Sequence, residues 1–172
     1  MISQNLKTHL LERSKFSNLE FGLLVKLLEE SEYEFIGGVL NGPMGIATYR
    51  KAYFDLNRLD LTDDQLTFFV ILHEYCHVLK IERVGKQGMV NQLSNENFDE
   101  FLNHIITEEI IADRFASMMY YCYNKRKYPK YRTQRLEEQS QKDKYVHQVG
   151  DLFGQIKDEE TYDKILNLFI LE

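Results

Sequence analysis

Two histidines and a glutamate in the segment HEYCH, residues 73–77, have the spacing of a metal-dependent hydrolytic site. Residues four positions apart on an α-helix share a face, so the imidazoles of His73 and His77 can point at one metal ion. Glu74 is rotated from His73 by about 100°. Its carboxylate is therefore kept off the metal but close to a metal-bound water, from which it can take a proton as general base. The spacing predicts two metal ligands with a catalytic base between them.

A catalytic zinc site normally has a third protein ligand and leaves a fourth position for water. The downstream segment offers four candidates, which are His104, Glu108, Glu109 and Asp113. Glu109 is favoured, because it shares a helix face with Asp113 and with the small residues Ala112 and Ala116, which suit close packing on the motif helix. Asp113 is then expected to accept a hydrogen bond from the far nitrogen of a ligand histidine. Glu108 and His104 are the rival third ligands.

The motif is predicted to lie on a long, buried helix. Thr62 is a suitable N-cap, and Gln65 occupies the capping-box position three residues later. Residues 66–72 are apolar except for one threonine, which is typical of a helix buried on all sides. Gly85 and Gly88 are expected to mark the end of this helix and a following loop. Because charged groups are costly to bury unless they are paired or bind metal, the setting favours a metal site over chance spacing.

The segment before the motif helix is predicted to form a small sheet. The stretches EYEFIGGVL and IATYRKAYFDL are rich in aromatic and β-branched residues, and the turn signal NGPMG separates them. We expect antiparallel strands at about 33–40, 46–50 and 52–57. A sheet of this size needs a helix packed on it to be stable.

Helical patterns account for most of the remaining chain, at residues 4–30 with a break near Ser17–Asn18, and at about 96–123, 131–153 and 158–171. The predicted fold class is therefore α+β, mostly helical, with the small antiparallel sheet preceding the motif helix. We expect one domain over residues 1–172, with a core at about 33–127 and helical extensions at 1–30 and 131–172.

Composition and charge narrow the classes of protein. The chain has 172 residues, of which 44% are hydrophobic, and a net charge of −6, which gives no general attraction to nucleic acid or anionic membranes. No apolar run approaches the length of a membrane span, and the amino-terminal residues are too polar for a signal peptide. With only Cys76 and Cys122, a disulfide scaffold is not expected. These features predict a cytoplasmic protein without a membrane partner.

The segments TFFVILHEYCHVL and EEIIADRFA together resemble the gluzincin metallopeptidases, and among them the ImmA/IrrE-like family, whose members pair HExxH with a downstream E-x-x-A-(N/D)-x-F-A segment. The resemblance covers roughly residues 45–120. It implies a zincin-like fold and an intracellular Zn2+-dependent endopeptidase, whose protein or peptide substrate is often a transcriptional regulator. By the same resemblance the metal ligands are His73, His77 and Glu109, the catalytic base is Glu74, and Asp113 supports a ligand.

Two other functions stay open at this point. The chain could be a binding or regulatory module that keeps the fold without the activity. It could also associate with nucleic acid through residues 120–132, where five tyrosines alternate with five basic residues. The acidic total charge favours interpreting this stretch as a solvated helix end, where basic residues suit the helix dipole. The residue that would stabilise an oxyanion is also open, with Tyr120, Tyr121, Tyr145 and His147 as candidates.

Overall fold

The computed structural model describes residues 1–94, 97–129 and 154–171, together with the single residues 143, 147 and 150. This part of the chain is α+β, as predicted, with seven named helices and a four-stranded sheet. The helices are α1 (Gln4–Ser14), α2 (Phe21–Glu30), α3 (Leu56–Asp60), α4 (Asp64–Val84), α5 (Lys86–Leu93), α6 (Phe98–Asn124) and α7 (Glu159–Asn167). The strands are β1 (Glu34–Leu40), β2 (Gly45–Thr48), β3 (Lys51–Asp55) and β4 (Ile170–Leu171). The helix predicted at 131–153 lies almost entirely outside the described residues.

The amino-terminal helices follow the predicted pattern. α1 and α2 are separate helices, and the break between them includes Ser17–Asn18. The side chain of Ser3 caps α1 by accepting a hydrogen bond from the backbone N–H of Leu6. α2 buries one apolar stripe against the core, consisting of Phe21, Leu24, Val25 and Leu28. α1 packs on β1, and α2 packs on α1.

The sheet is mixed, so the prediction of a purely antiparallel sheet is wrong. The strand order is β2-β3-β1-β4, with β1 and β3 parallel and β2 and β3 antiparallel. The tight turn at Tyr49–Arg50, where Arg50 has a left-handed φ of 63°, fixes β2 beside β3. Only the other edge of β3 is then left for β1, which makes the NGPMG segment a crossover instead of a hairpin turn. The short strand β4, which pairs antiparallel with the end of β1, was not predicted.

The motif helix α4 begins one residue later than predicted. Its N-cap is Asp63, whose carboxylate accepts from the backbone N–H of Leu66. The hydroxyl of Thr62, the predicted cap, instead bonds the carbonyl of Leu59 and the hydroxyl of Thr67. The residues buried in α4 include every position from Thr67 to His73, which matches the expected buried helix.

After α4 the chain does not form the expected loop. Gly85, with a φ of 75°, ends α4 at a conformation that favours glycine. The helix α5 follows at once and contains Gly88, so the prediction of a loop here is wrong. Glycine at position 88 lowers helix propensity, but Val90 and Leu93 bury against a second apolar cluster and hold α5 in place.

The two long helices α4 and α6 pack against each other and carry the candidate site between them. α6 spans the predicted helix at 96–123 to within two residues and begins at an Asn97 cap. Ala112 and Ala116 are fully buried at this contact, which allows the two backbones to approach closely. Both cysteines are free thiols. None of the helices in the described ranges is both long and apolar enough to cross a bilayer.

Candidate metal centre

The packing of α4 on α6 brings His73, His77 and Glu109 together. The two Nε2 atoms of His73 and His77 lie 3.0 Å apart. Glu109 Oε2 lies 3.4 Å from His73 Nε2, and Glu109 Oε1 lies 3.3 Å from His77 Nε2. Among the residues that the structure describes, this is the group whose donor atoms could hold a metal ion.

The spacing of these donors fits tetrahedral coordination. Ligand atoms about 2.0–2.1 Å from a tetrahedral zinc ion lie about 3.3–3.4 Å from one another. The two Nε2 atoms are 3.0 Å apart, and each of them has one of the two Glu109 oxygens at 3.3–3.4 Å, so every neighbouring pair is close to that edge length. Two imidazoles and one carboxylate are also the donor set of catalytic sites with an open fourth position. The residues present therefore fit a metal ion of this type.

Asp113 is in hydrogen-bond contact with His73. Its Oδ1 lies 2.9 Å from Nδ1 of His73, and both residues are buried, at 1% and 7% exposure. A carboxylate at Nδ1 favours the tautomer in which Nδ1 carries the proton. In the neutral ring the lone pair on Nε2 of His73 then faces His77 and Glu109, where a metal ion would need it.

In the absence of metal, the contacts between Glu109 and the histidines shift the pKa values of His73 and Glu109. Burial alone would lower the pKa of His73, but hydrogen bonds to Asp113 and Glu109 raise that pKa to about 10. Burial would raise the pKa of Glu109, but the hydrogen bonds from His73 and His77 hold it well below its usual range. Without metal, the His73 ring is therefore protonated on both nitrogens at neutral pH. A metal ion that binds to Nε2 has to displace the proton there.

Glu74 faces the same cleft as the ligand group, and it packs against strand β2. A Cβ placed on Gly45 would come within 2.6 Å of Glu74 Cγ, so only glycine fits opposite this side chain. Gly45 and Glu74 both line the cleft, together with His73, His77 and Glu109. The strand thus limits the positions that the Glu74 side chain can take. Gly45 belongs to the NGPMG turn signal, but its contact with Glu74 could not be inferred from the local sequence.

The middle residues of HEYCH point away from the ligand group. The ring of Tyr75 packs against Phe35 of the sheet and Phe115 of α6. Burial raises the pKa of the Cys76 thiol to about 11, with a further contribution from Glu108. Cys76 therefore stays protonated at neutral pH and serves as packing, because the thiolate is the form that binds metal.

The rival ligands Glu108 and His104 lie outside the three-residue group. Glu108 forms an ion pair with Lys80, one turn beyond His77 on α4. Burial, followed by the charge of Lys80, lowers the pKa of His104 and favours its neutral form. Lys80 was not singled out in the sequence, although its position three residues after His77 places it at the same cleft.

The described part of the tyrosine- and lysine-rich stretch, residues 120–129, has two distinct parts. Tyr120 and Tyr128 are buried in the core, and the Tyr128 ring stacks on Phe69 with centroids 4.1 Å apart. The side chains of Lys125, Arg126 and Lys127 are exposed at the end of α6. The buried tyrosines cannot stack on nucleic-acid bases, so only part of the expected basic and aromatic surface is available.

The oxyanion candidates are spread over different environments. Tyr120 packs edge-on against Phe68 in the core, so its ring does not face the ligand group. Tyr121 and His147 are exposed, and Tyr145 lies outside the described residues. Tyr128, which the sequence analysis did not consider, lines the cleft instead.

The cleft beside the ligand group has a volume of about 720 Å3. This volume is within the range of about 300–1,000 Å3 that is usual for ligand-binding pockets. Its walls come from β2, α4, α5, α6 and the C-terminal segment at 154–171. The group of potential metal ligands therefore opens onto a space large enough for several residues of a peptide.

Comparisons with protein-family models, curated proteins and solved structures find no match for this chain. The functional argument consequently depends on the geometry and chemistry of the site.

Proposed function

We propose that this protein is a zinc-dependent endopeptidase that cleaves a protein or peptide inside the cell. The observation that carries the proposal is the convergence of His73 Nε2, His77 Nε2 and the Glu109 carboxylate within 3.0–3.4 Å of one another. Glu74 stands at the same cleft as a candidate base. The ImmA/IrrE-like resemblance supports the same assignment, including a zincin-like architecture and a regulatory protein as the substrate class.

The chain supplies a role for each residue of the site. His73, His77 and Glu109 would hold the zinc ion, which supplies Lewis acidity towards a water and the peptide carbonyl. Glu74 takes a proton from the attacking water and passes it to the amine nitrogen as the peptide C–N bond breaks. Asp113 keeps the His73 ring oriented by accepting a hydrogen bond from the Nδ1–H group.

The position of β2 suits an extended substrate. β2 is the terminal strand in the order β2-β3-β1-β4, and its residues Gly45, Ile46 and Ala47 line the cleft. An extended peptide can pair with such an edge through main-chain hydrogen bonds. A peptide added along β2 would pass beside Glu74, which brings a backbone carbonyl to the base and the ligands.

The metal assignment is tested on the purified protein by mass spectrometry of zinc, iron and manganese. We expect about one zinc per chain in the wild type, and loss of that zinc in Glu109→Gln. Glu108→Gln is the matched control, because it removes the neighbouring carboxylate, which pairs with Lys80 and not with the histidines. A wild-type protein without zinc after reconstitution, or one loaded with iron instead, would contradict the proposal.

The catalytic assignment is tested separately with Glu74→Gln. This variant is expected to keep its zinc and to lose cleavage of a peptide mixture by at least about a hundredfold, because the base is lost and the ligands are not. Equal behaviour of wild type and Glu74→Gln towards a partner protein would favour a binding module over an enzyme.

A further inference from the structure

The face that carries the ligand group continues as an apolar surface. Ile81 lies four residues after His77 on α4, and Ile105 lies four residues before Glu109 on α6. Each isoleucine is therefore about one helical turn, roughly 5.4 Å along the axis, from a ligand and on the same face. Both line the cleft. The space next to the ligands is thus bounded by apolar side chains on both long helices.

Further walls of this space come from α5 and from α7, of which only α7 lies outside the segment that the family resemblance covers. Met89 on α5 and Ile165 and Leu166 on α7 face the same cleft. We call the space bounded by these three residues and by Ile81, Phe101 and Ile105 the apolar chamber. Its members belong to, or pack against, the second hydrophobic cluster, except for Ile81, which lies on α4.

The wall formed by α7 is attached to the rest of the protein. Lys86 at the start of α5 pairs with Asp163 at 2.5 Å and with Glu159 at 3.8 Å. Tyr162 is buried in the same cluster, and β4 pairs with β1 directly after α7. Leu166 and Ile165 are only partly buried, which leaves their side chains available to a bound molecule.

The apolar chamber differs from the ligand group in that the six side chains that define it are uncharged. Two of the charged side chains that line the cleft, Lys80 and Glu108, pair with each other. A charged side chain entering the chamber would therefore lose water without gaining a partner, whereas an aliphatic or aromatic side chain would bury apolar surface.

We propose that the apolar chamber binds a bulky apolar side chain of the substrate, next to the peptide bond held at His73, His77 and Glu109, and that Leu166 and Ile165 on α7 set this preference. The inference rests on the proposed peptidase function and adds a substrate class to it. The substrate contributes leucine, isoleucine, methionine or an aromatic residue beside the cleaved bond. Acidic and basic residues are rejected at that position.

The absence of tryptophan from the chain permits a direct binding test. Zinc-loaded Glu74→Gln protein is titrated with a blocked pentapeptide that has a central tryptophan, whose emission shifts to shorter wavelength when the ring enters an apolar site. Matched peptides with leucine or aspartate at the centre then compete for the site. We expect leucine to compete at least about tenfold better than aspartate, because apolar pockets discriminate by roughly 10–200-fold for even a single methylene.

Leu166→Lys is the test variant, and Leu168→Lys, at an exposed position just after α7, is the matched control. Leu166→Lys is expected to lower the ratio of leucine to aspartate competition by about tenfold or more, whereas Leu168→Lys leaves it unchanged. Melting temperature and zinc content show that each variant is folded. Leu166→Ala, which carries no charge, serves if the lysine variant does not fold and is expected to weaken leucine binding by several-fold.

The outcomes separate the two proposals. No emission shift, equal competition by leucine and aspartate, or an unchanged ratio in folded Leu166→Lys overturns the chamber proposal, even if the wild type cleaves peptides. A leucine preference that depends on Leu166, together with a zinc-loaded wild type that does not cleave peptides, supports the chamber and refutes the peptidase. For an active enzyme, mass spectrometry of a digested peptide mixture is expected to show apolar residues enriched at one position beside the cut.

Discussion

Replacing Asp113 by asparagine tests whether the His73–Asp113 contact positions a metal ligand. Asparagine has nearly the same shape as aspartate, so the packing between α4 and α6 is preserved. The substitution removes the charge 2.9 Å from His73 Nδ1. It also introduces an amide N–H that can donate to Nδ1, which would move the ring proton to Nε2, the atom that should face the metal.

The expected loss of zinc affinity is about 10–100-fold, the usual effect of removing the partner of a ligand histidine. This corresponds to about 1.4–2.7 kcal/mol of binding free energy. One effect opposes it, because Asp113 also helps to raise the pKa of His73 to about 10, and zinc must displace that proton. The opposing effect shrinks as the pH approaches 10. The gap in affinity between wild type and Asp113→Asn should therefore widen from pH 7 to pH 9.

Zinc affinity is measured by competition with a chelator of known affinity at several pH values, with circular dichroism as a check on folding. Asp55→Asn is the control, because Asp55 is also buried and hydrogen-bonded but lies at the end of β3. There its carboxylate caps α3 by accepting a hydrogen bond from the backbone N–H of Arg58. The control should lower the melting temperature and leave the zinc dissociation constant unchanged. If folded Asp113→Asn binds zinc within twofold of wild type at every pH, the positioning role of Asp113 is refuted.

Three further results are expected. Gly45→Ala should reduce cleavage by about tenfold or more while zinc content stays unchanged, because the new Cβ displaces the Glu74 side chain, and a misplaced catalytic group is costly. In metal-free protein, the raised pKa of His73 contributes stability that is complete below pH 6.5 and is lost as the pH rises towards 10. The melting temperature should therefore fall over this range in the presence of a chelator, and less steeply in His73→Gln. Asp63→Ala should lower the free energy of unfolding by about 1 kcal/mol through loss of the α4 cap, measured by urea denaturation.

Features determined by local sequence were predictable, and those determined by distant pairing were not. The separation of α1 from α2 and the buried character of α4 follow from helical periodicity over a few turns. The parallel pairing of β1 with β3 depends on which edge of β3 stays free after the turn at Tyr49–Arg50, and no local pattern encodes that. The capping difference between Thr62 and Asp63 is a shift of one residue between two good caps.

The same distinction applies to the site. The four-residue spacing of His73 and His77 is a property of one helix. The choice between Glu108 and Glu109 depends on which face of α6 packs against α4. The small residues on the same face as Glu109 indicated that this is the packed face. The role of Gly45, from the strand, could not be inferred in this way. The chamber walls on α5 and α7 could not be predicted either, because they come from segments far apart in sequence that meet only in the folded chain.

The position of the ligands on two different helices has a consequence for the lifetime of the protein. A metal ion held by His77 and Glu109 would cross-link α4 to α6 and close a loop of about 30 residues. A covalent cross-link that closes a loop of that length lowers the entropy of the unfolded chain, which stabilises the folded state by about 3–4 kcal/mol. Both cysteines are free, so a bound metal ion would be a cross-link in addition to the polar contacts between these helices. Metal supply would then affect how often the chain unfolds and becomes accessible to proteases.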